Sequence, residues 1–132
     1  LDDDFNMIMD KVRDADYFIF TAPIFYNDIA GHSKMFLDRF GSLGNDINLE
    51  MKEKKSLLMI THFSDYINDF VIKNTHRVIV SANFKVNKIL DIGGLLTKRF
   101  TEDELESFED IGYELDDYEV IPHELDLDSA TV

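Results

Sequence analysis

Two short apolar runs stand out against an otherwise mixed pattern of hydrophobic and polar residues. They are Tyr17–Phe20 and Ser56–Ile60. A short continuous apolar run is typical of a strand that is buried on both faces, as in a parallel sheet. We therefore predict two buried strands, and a third at Lys85–Ile92. The first should end at Pro23, because proline cannot donate a hydrogen bond to a sheet ladder; Pro23–Ala30 is then a loop.

Apolar residues recur at helical spacing between and around these strands. Helices are predicted at Asp4–Asp14, from Gly31 to the closing glycines Gly41 and Gly44, from Asp65 to Ala82 with Asn83 as C-cap, and after the capping box Thr101-x-x-Glu104. The β-branched run Val78-Ile79-Val80 also suits a strand, but we assign it to the helix because the next strand follows so closely. Residues 45–55 are polar and are predicted to be a surface connection.

The resulting order of elements, α-β-α-β-α-β-α, predicts an α/β fold built on a parallel sheet. In open sheets of this kind, ligands bind beyond the carboxyl ends of the strands. Those ends correspond to Thr21–Asn27 and Thr61–Asp65. We therefore expect any binding site to be formed by these two segments.

Composition narrows the class of protein. The chain has 132 residues, of which 45% are hydrophobic, and it contains no cysteine. This length fits one domain, and the lack of cysteine excludes a disulfide framework, an iron–sulfur site or a thiolate zinc site within this stretch. No apolar run is long enough to span a membrane, and no His/Asp spacing indicates a metal site. The first ten residues carry four acids and no base, unlike a secretory signal peptide. A cytoplasmic location is expected.

Charge is distributed very unevenly along the chain. Residues 1–100 hold 13 basic and 14 acidic residues, a net charge of 13 − 14 = −1, whereas residues 101–132 hold 13 acidic and no basic residues. We expect an acidic helix followed by a disordered tail at 121–132, and no binding of nucleic acid or anionic membranes. The alternative is that the tail docks on a basic partner.

The most specific motif lies at residues 15–39, ADYFIFTAPIFYNDIAGHSKMFLDR. An Ala-Asp pair precedes a strand, a Thr-x-Pro-x-Phe-Tyr segment follows it, and a Gly-x-x-Lys-x-Phe-Leu-Asp-Arg helix comes next. This pattern resembles the central signature of the NAD(P)H-dependent FMN reductases and flavodoxin-like oxidoreductases. The resemblance extends, more weakly, over residues 4–96.

The resemblance implies a flavodoxin-like three-layer αβα domain at residues 1–120, with a parallel sheet that is N-terminally incomplete. The family's phosphate-binding turn and first two strands have no counterpart in this sequence. The strand Tyr17–Phe20 would then be an exposed apolar edge. The second flavin-facing loop of the family usually contains glycine, whereas this chain has His62-Phe63-Ser64.

The resemblance also implies a function and a site. The implied activity is that of an FMN-dependent NAD(P)H oxidoreductase of the flavin or quinone reductase type, acting as a homodimer or other homo-oligomer. No catalytic side chain is assigned, because the flavin ring itself accepts the hydride. The residues expected to bind FMN are Thr21, Pro23, Ile24, Phe25, Tyr26, Asn27, Thr61, His62 and Phe63.

Several alternatives stay open at this point. The aromatic residues of the first segment can instead fill the core. The protein can be a degenerate flavodoxin-like domain without flavin that serves as an interaction module, or an inactive fragment. His62 can donate to a flavin oxygen, face the nicotinamide, or be a partly exposed loop histidine.

Overall fold

The computed structural model describes residues 2–42, 54–64, 69–82, 84–95, 98–122 and 124. Its elements are α1 (Phe5–Asp14), β1 (Tyr17–Phe25), β2 (Asp28–Ile29), α2 (Gly31–Ser42), β3 (Lys55–Thr61), α3 (Asp69–Ser81), β4 (Lys85–Ile92) and α4 (Glu102–Glu114). The strands form one sheet in the order β2-β1-β3-β4, in which β1, β3 and β4 are parallel. The predicted alternation of helices and strands is confirmed, and the run Val78-Ile79-Val80 is helical as predicted.

Strand β1 is longer than predicted. It continues through Pro23 to Phe25, and the chain then turns back as the short antiparallel strand β2. The carbonyl of Pro23 accepts a hydrogen bond from the Ala30 N–H at 2.9 Å, on the β2 side of the strand. The N–H and C=O positions of one strand residue point the same way, so the proline nitrogen faces away from β3. The prediction that the strand ends at Pro23 and that Pro23–Ala30 is a loop was therefore wrong.

Strand β1 is buried on one face only. Phe18, Phe20 and Ala22 are buried, whereas the side chains between them are exposed, with Ile19 exposed to 58%. The helices α1, α2 and α3 pack on the first face, and α4 packs on the other face over β3 and β4. The prediction of burial on both faces was wrong for β1, because α4 does not extend over Ile19.

The outer edge of β1 is open. Strand β2 pairs only with Ile24 and Phe25, so over the described residues nothing pairs with the outer side of β1 from Tyr17 to Ala22. This agrees with the exposed edge expected for Tyr17–Phe20.

The larger core lies between the sheet and helices α1–α3. Its centre is an aromatic cluster in which the ring centroids of Phe18, Phe40 and Phe84 are 4.9–5.1 Å apart. Gly41 lies where α2 approaches α3, and a Cβ atom there would be 2.6 Å from Cγ1 of Val78. A glycine within α2, rather than after it, therefore permits the close packing of these two helices.

Lys54 is buried, although it was predicted to lie in a surface connection. Its residue exposure is 2%, and its Nζ donates to the carbonyls of Arg13, at 2.8 Å, and Ala15. These carbonyls lie at the end of α1, where helix carbonyls lack partners within the helix and carry partial negative charge. Lys55 also departs from the prediction, since it begins β3. Residues 43–53, including Gly44, lie outside the described residues.

Helix α4 forms the third layer. Its predicted capping box is present: Thr101 N–H donates to Glu104 Oε2 at 2.9 Å, and Glu104 N–H donates to Thr101 Oγ1 at 3.2 Å. Leu115 packs after the helix on Leu57 and Leu90. The predicted Asn83 cap, the helix start at 65–68 and most of the acidic tail lie outside the described residues. Ile121, which was assigned to the tail, donates its N–H to the Val86 carbonyl at 2.8 Å.

Candidate functional site

A cleft opens at the carboxyl ends of β1 and β3, where the sequence predicted the site. Its volume is about 400 Å³, and we refer to it as the hairpin cleft. It lies between the turn that joins β1 to β2 and the segment that follows β3. It is lined by Ile24, Phe25, Tyr26, Asn27, His62, Phe63 and Ser64.

A smaller pocket of about 60 Å³ adjoins the hairpin cleft. Its lining adds Pro23, Thr61 and Leu95 to residues shared with the cleft. The two cavities therefore bring together every predicted site residue except Thr21. The side chain of Thr21 is exposed on the open face of β1, before the strand reaches the cleft.

The turn between β1 and β2 forms one side of the hairpin cleft. Its two central residues, Tyr26 and Asn27, have φ angles of 49° and 67°. Two positive φ angles define the tight turn whose twist matches a two-stranded hairpin. Tyr26 is fully exposed and Phe25 about half exposed. The alternative that these aromatic residues fill the core is therefore wrong for Tyr26.

Exposed aromatic rings lie on both sides of the hairpin cleft. Phe25 and Tyr26 belong to the hairpin, and Phe63, which is more than half exposed, belongs to the segment after β3. Aromatic faces that are open to solvent favour stacking with a planar ring. Among the described residues, neither lining contains Lys or Arg. The cleft thus suits an uncharged planar group better than a phosphate.

His62 is buried at the base of the cleft and makes two short contacts inside the protein. Its Nε2 lies 2.6 Å from Oδ1 of Asp91, and its Nδ1 lies 2.6 Å from the carbonyl oxygen of Ser64. The side chains of His62 and Asp91 are only 5% and 6% exposed. Both ring nitrogens are therefore occupied, so the hypothesis that His62 donates to a flavin oxygen or faces the nicotinamide does not fit this arrangement.

Sequence reasoning missed Asp91 and Leu95 at this site, and it did not name Ser64 individually, although Ser64 lies within the predicted segment Thr61–Asp65. Asp91 is the next-to-last residue of β4, and Ser64 and Leu95 lie in the segments that follow β3 and β4. The rule that sites form at the carboxyl ends of parallel strands, applied to Lys85–Ile92 as well, would have drawn attention to Asp91. Among the described residues, no group of three His, Asp or Glu side chains could hold a metal ion. Within the same residues, every helix is too short or too polar to cross a membrane.

Solved structures with the same fold include the three that follow. A flavone reductase is 22% identical, with a TM-score of 0.57, over 88% of this chain and 44% of its own. An NADH:FMN oxidoreductase in its apo form is 18% identical, with a TM-score of 0.61, over 93% and 64%. The Trp repressor binding protein from Bacillus subtilis is 16% identical, with a TM-score of 0.58, over 87% and 71%.

These likenesses confirm the predicted flavodoxin-like α/β fold. The chain spans only 44% and 64% of the length of the first two proteins. A comparison with curated protein sequences gave no match. The family model described as NADPH-dependent FMN reductase matches residues 1–82, which is more than half of the chain. By this match, the chain belongs to the NADPH-dependent FMN reductase family.

Proposed function

We propose that the protein binds FMN in the hairpin cleft and acts as an NAD(P)H-dependent oxidoreductase of the flavin or quinone reductase type. The observation that carries this proposal is the cleft itself. In a member of this family, exposed aromatic rings border a cavity at the carboxyl ends of β1 and β3. These are the two segments that the sequence resemblance suggested for the flavin. A volume of about 400 Å³ falls within the range of small-molecule sites.

The proposed contacts divide by chemistry. Phe25, Tyr26 and Phe63 flank the ring system, and the apolar side chains of Pro23 and Ile24 support it from the smaller pocket. Asn27 and Thr61 supply polar groups to the two cavities. Thr21, which precedes the cleft on β1, and His62, whose ring nitrogens are both occupied, act by supporting the cleft and not through a side-chain hydrogen bond to FMN. FMN, when bound, supplies the hydride-accepting ring, and the protein orients that ring and excludes water around it.

The phosphate of FMN requires contacts beyond the hairpin cleft. A buried or half-buried phosphate is normally held by backbone N–H groups at a helix N-terminus or by Arg and Lys. No Arg or Lys lines either cavity in the part of the chain that the structure describes. We therefore expect the cleft to select the ring, and riboflavin should compete with FMN for it.

The first test is a titration of FMN into the purified chain, followed by flavin fluorescence and absorbance. We expect saturable quenching, and we expect Tyr26→Ala and Phe63→Ala each to weaken it about tenfold, as loss of an aromatic contact of about 1.4 kcal/mol requires. Tyr113→Ala is the matched control, because Tyr113 is an exposed aromatic residue on α4, outside both linings. Absence of both quenching and FMN-dependent NAD(P)H oxidation would overturn the proposal.

We also propose that the protein forms a homo-oligomer and that it is located in the cytoplasm. A chain without cysteine is compatible with that reducing compartment, in which disulfides are rare. The open edge of β1 and the exposure of Ile19 support a homo-oligomer. The same features also support the second candidate function, a flavin-free interaction module. NAD(P)H oxidation that depends on added FMN would exclude the second candidate.

A further inference from the structure

A buried pair of ionisable side chains joins the ends of β3 and β4 directly beneath the hairpin cleft. His62 follows β3, and Asp91 lies near the end of β4. Both side chains are at least 94% buried, and the Nε2–Oδ1 distance is 2.6 Å. Burying such groups is unfavourable, and a buried pair adds little to stability relative to apolar side chains. The pair therefore calls for an explanation other than stability.

The hydrogen bonds of the His62 ring determine where its protons are. The carbonyl oxygen of Ser64 can only accept, so Nδ1 must carry a hydrogen. A hydrogen bond between Nε2 and Oδ1 of Asp91 needs a second proton, which lies between these two atoms. This proton is bonded either to the imidazole or to the carboxyl group. Rotating the ring by half a turn would place carbon atoms against both oxygens. The ring is consequently held in one orientation.

The backbone around the pair reinforces this arrangement. His62 N–H donates to the Ile92 carbonyl at 3.0 Å, and Gly94 N–H donates to the Ser64 carbonyl at 2.9 Å. Gly93 lies against the ring, where a Cβ atom would be 2.4 Å from Cε1 of His62. The residues on either side of Phe63 are therefore both hydrogen-bonded to the end of β4 and the turn that follows it. Phe63 itself is one of the residues that line the cleft.

We propose that Asp91 is a positioning residue of the flavin site: by holding His62, it fixes Phe63 as one wall of the hairpin cleft. This inference rests on the proposed function, because it names the group that shapes the same cleft. Asp91 is not among the described residues that line the two cavities, so its effect on flavin binding is indirect, and the proposed route is through His62 and Phe63.

Two substitutions of Asp91 distinguish its role in positioning the His62 ring from its role in sharing a proton with that ring. In Asp91→Asn, the side-chain amide can donate to Nε2 while Nδ1 still donates to Ser64, so the ring orientation is kept. In Asp91→Leu, Nε2 is left without a partner in a buried position. We expect Asp91→Asn to bind FMN within about threefold of the unaltered chain, and Asp91→Leu to bind at least about tenfold more weakly.

A double-mutant cycle shows whether the effect passes through Phe63. If it does, Asp91→Leu weakens FMN binding in the unaltered chain but has little further effect in the Phe63→Ala background. Additive losses, or unchanged binding in Asp91→Leu, would overturn the inference. Asp10→Leu is the matched control, since it removes a carboxylate from the exposed ion pair with Arg13 and should leave binding unchanged.

A flavin-independent measurement keeps this inference distinct from the proposed function. NMR of the His62 ring should show a hydrogen-bonded Nε2 in the unaltered chain and in Asp91→Asn, and an Nε2 without a hydrogen bond in Asp91→Leu, because leucine offers Nε2 no partner. That result, without FMN binding by the unaltered chain, would overturn the proposed function and leave the His62 arrangement established. A ring signal that is the same in all three proteins would overturn the role of Asp91.

Discussion

Tyr26 combines backbone strain with complete exposure. Its φ of 49° lies in the left-handed region, which is unfavourable for a bulky L-residue by roughly 1–2 kcal/mol. Its side chain is fully exposed, so packing does not offset this strain. Strained residues of this kind concentrate at binding sites, and Tyr26 lies at the rim of the hairpin cleft.

We predict that Tyr26→Asn stabilises the fold and weakens flavin binding. Asparagine is tolerated at positive φ and is favoured in this type of turn, so the free energy of unfolding should rise by about 1 kcal/mol. Denaturant unfolding measures the gain, and the FMN titration measures the loss. Tyr26→Phe is the control, because it keeps the ring and the strain and should leave stability unchanged. A less stable Tyr26→Asn variant would contradict the prediction.

Asp3 links the start of α1 to the end of α2. Its Oδ2 accepts a hydrogen bond from Arg39 at 2.5 Å, and its Oδ1 accepts one from the Phe5 N–H at 3.1 Å. The Arg39 guanidinium, followed by the Phe5 N–H, lowers the pKa of Asp3 below its ordinary value. A carboxyl group whose pKa is lower in the folded state stabilises the fold above its unfolded pKa, and that contribution is lost as the pH falls through the folded pKa.

We predict that Asp3→Asn reduces the loss of folding stability that the unaltered chain shows as the pH becomes acidic. Above about pH 3.9, the ordinary pKa of aspartate, the unaltered chain should be more stable than Asp3→Asn by a constant amount. The difference should disappear as the pH falls through the lowered pKa of Asp3. Urea unfolding between pH 2 and pH 7 measures this. In an Arg39→Gln background the difference should shrink, and an equal difference there would contradict the assigned cause.

The residues of the site were predictable to different degrees. Phe25 and Phe63 could be placed because they follow strands whose positions are evident from local patterns. Asp91 could not be paired with His62, because the contact joins residues 29 positions apart. The tight turn at Tyr26-Asn27 was also missed, since an Asn-Gly pair is the usual signal for it and glycine is absent at residue 27.

At the scale of elements, helices and strands followed the local pattern, whereas their environment depended on the whole fold. The alternation along β1 could not be read from Tyr17–Phe20, because all four residues are apolar, yet only Phe18 and Phe20 are buried. A run of this kind predicts a strand but not which of its faces is covered. Whether α4 covers Ile19 depends on where α4 packs on the sheet, and the residues of α4 are distant from Ile19 in the sequence.

Helix α1 depends on Lys54 at its C-terminal end. The buried ammonium group satisfies the carbonyls of Arg13 and Ala15. We predict that Lys54→Met lowers the free energy of unfolding by about 1–3 kcal/mol, since it leaves two partly buried carbonyl acceptors without a donor. Hydrogen exchange at the last turn of α1 should accelerate most. Lys55→Met is the control: Lys55 is about 39% exposed, and its loss should matter less. Equal losses in both variants would contradict this explanation.

At the scale of the whole molecule, the two edges of the sheet differ in how far their backbone groups are paired. The β4 side is partly closed by the bond from Ile121 to the Val86 carbonyl, whereas the outer side of β1 has no strand partner among the described residues from Tyr17 to Ala22. The exposed face of β1 presents Tyr17, Ile19 and Thr21 beside this edge. Unpaired strand edges with apolar side chains readily pair with another chain.

We predict that Ile19→Lys suppresses self-association without lowering stability. A charged side chain at an open edge prevents edge-to-edge pairing, and Ile19 is already 58% exposed, so its replacement removes little from the core. Sedimentation velocity over a range of concentrations measures the change, and thermal unfolding checks the fold. Met35→Lys is the matched control, because Met35 is an exposed apolar residue on α2, on the other side of the sheet. Dissociation in both variants would show that the loss of association is not specific to β1. An unaltered chain that is monomeric at every concentration would contradict the prediction outright, and the hairpin cleft would then have to function within a single copy of the chain.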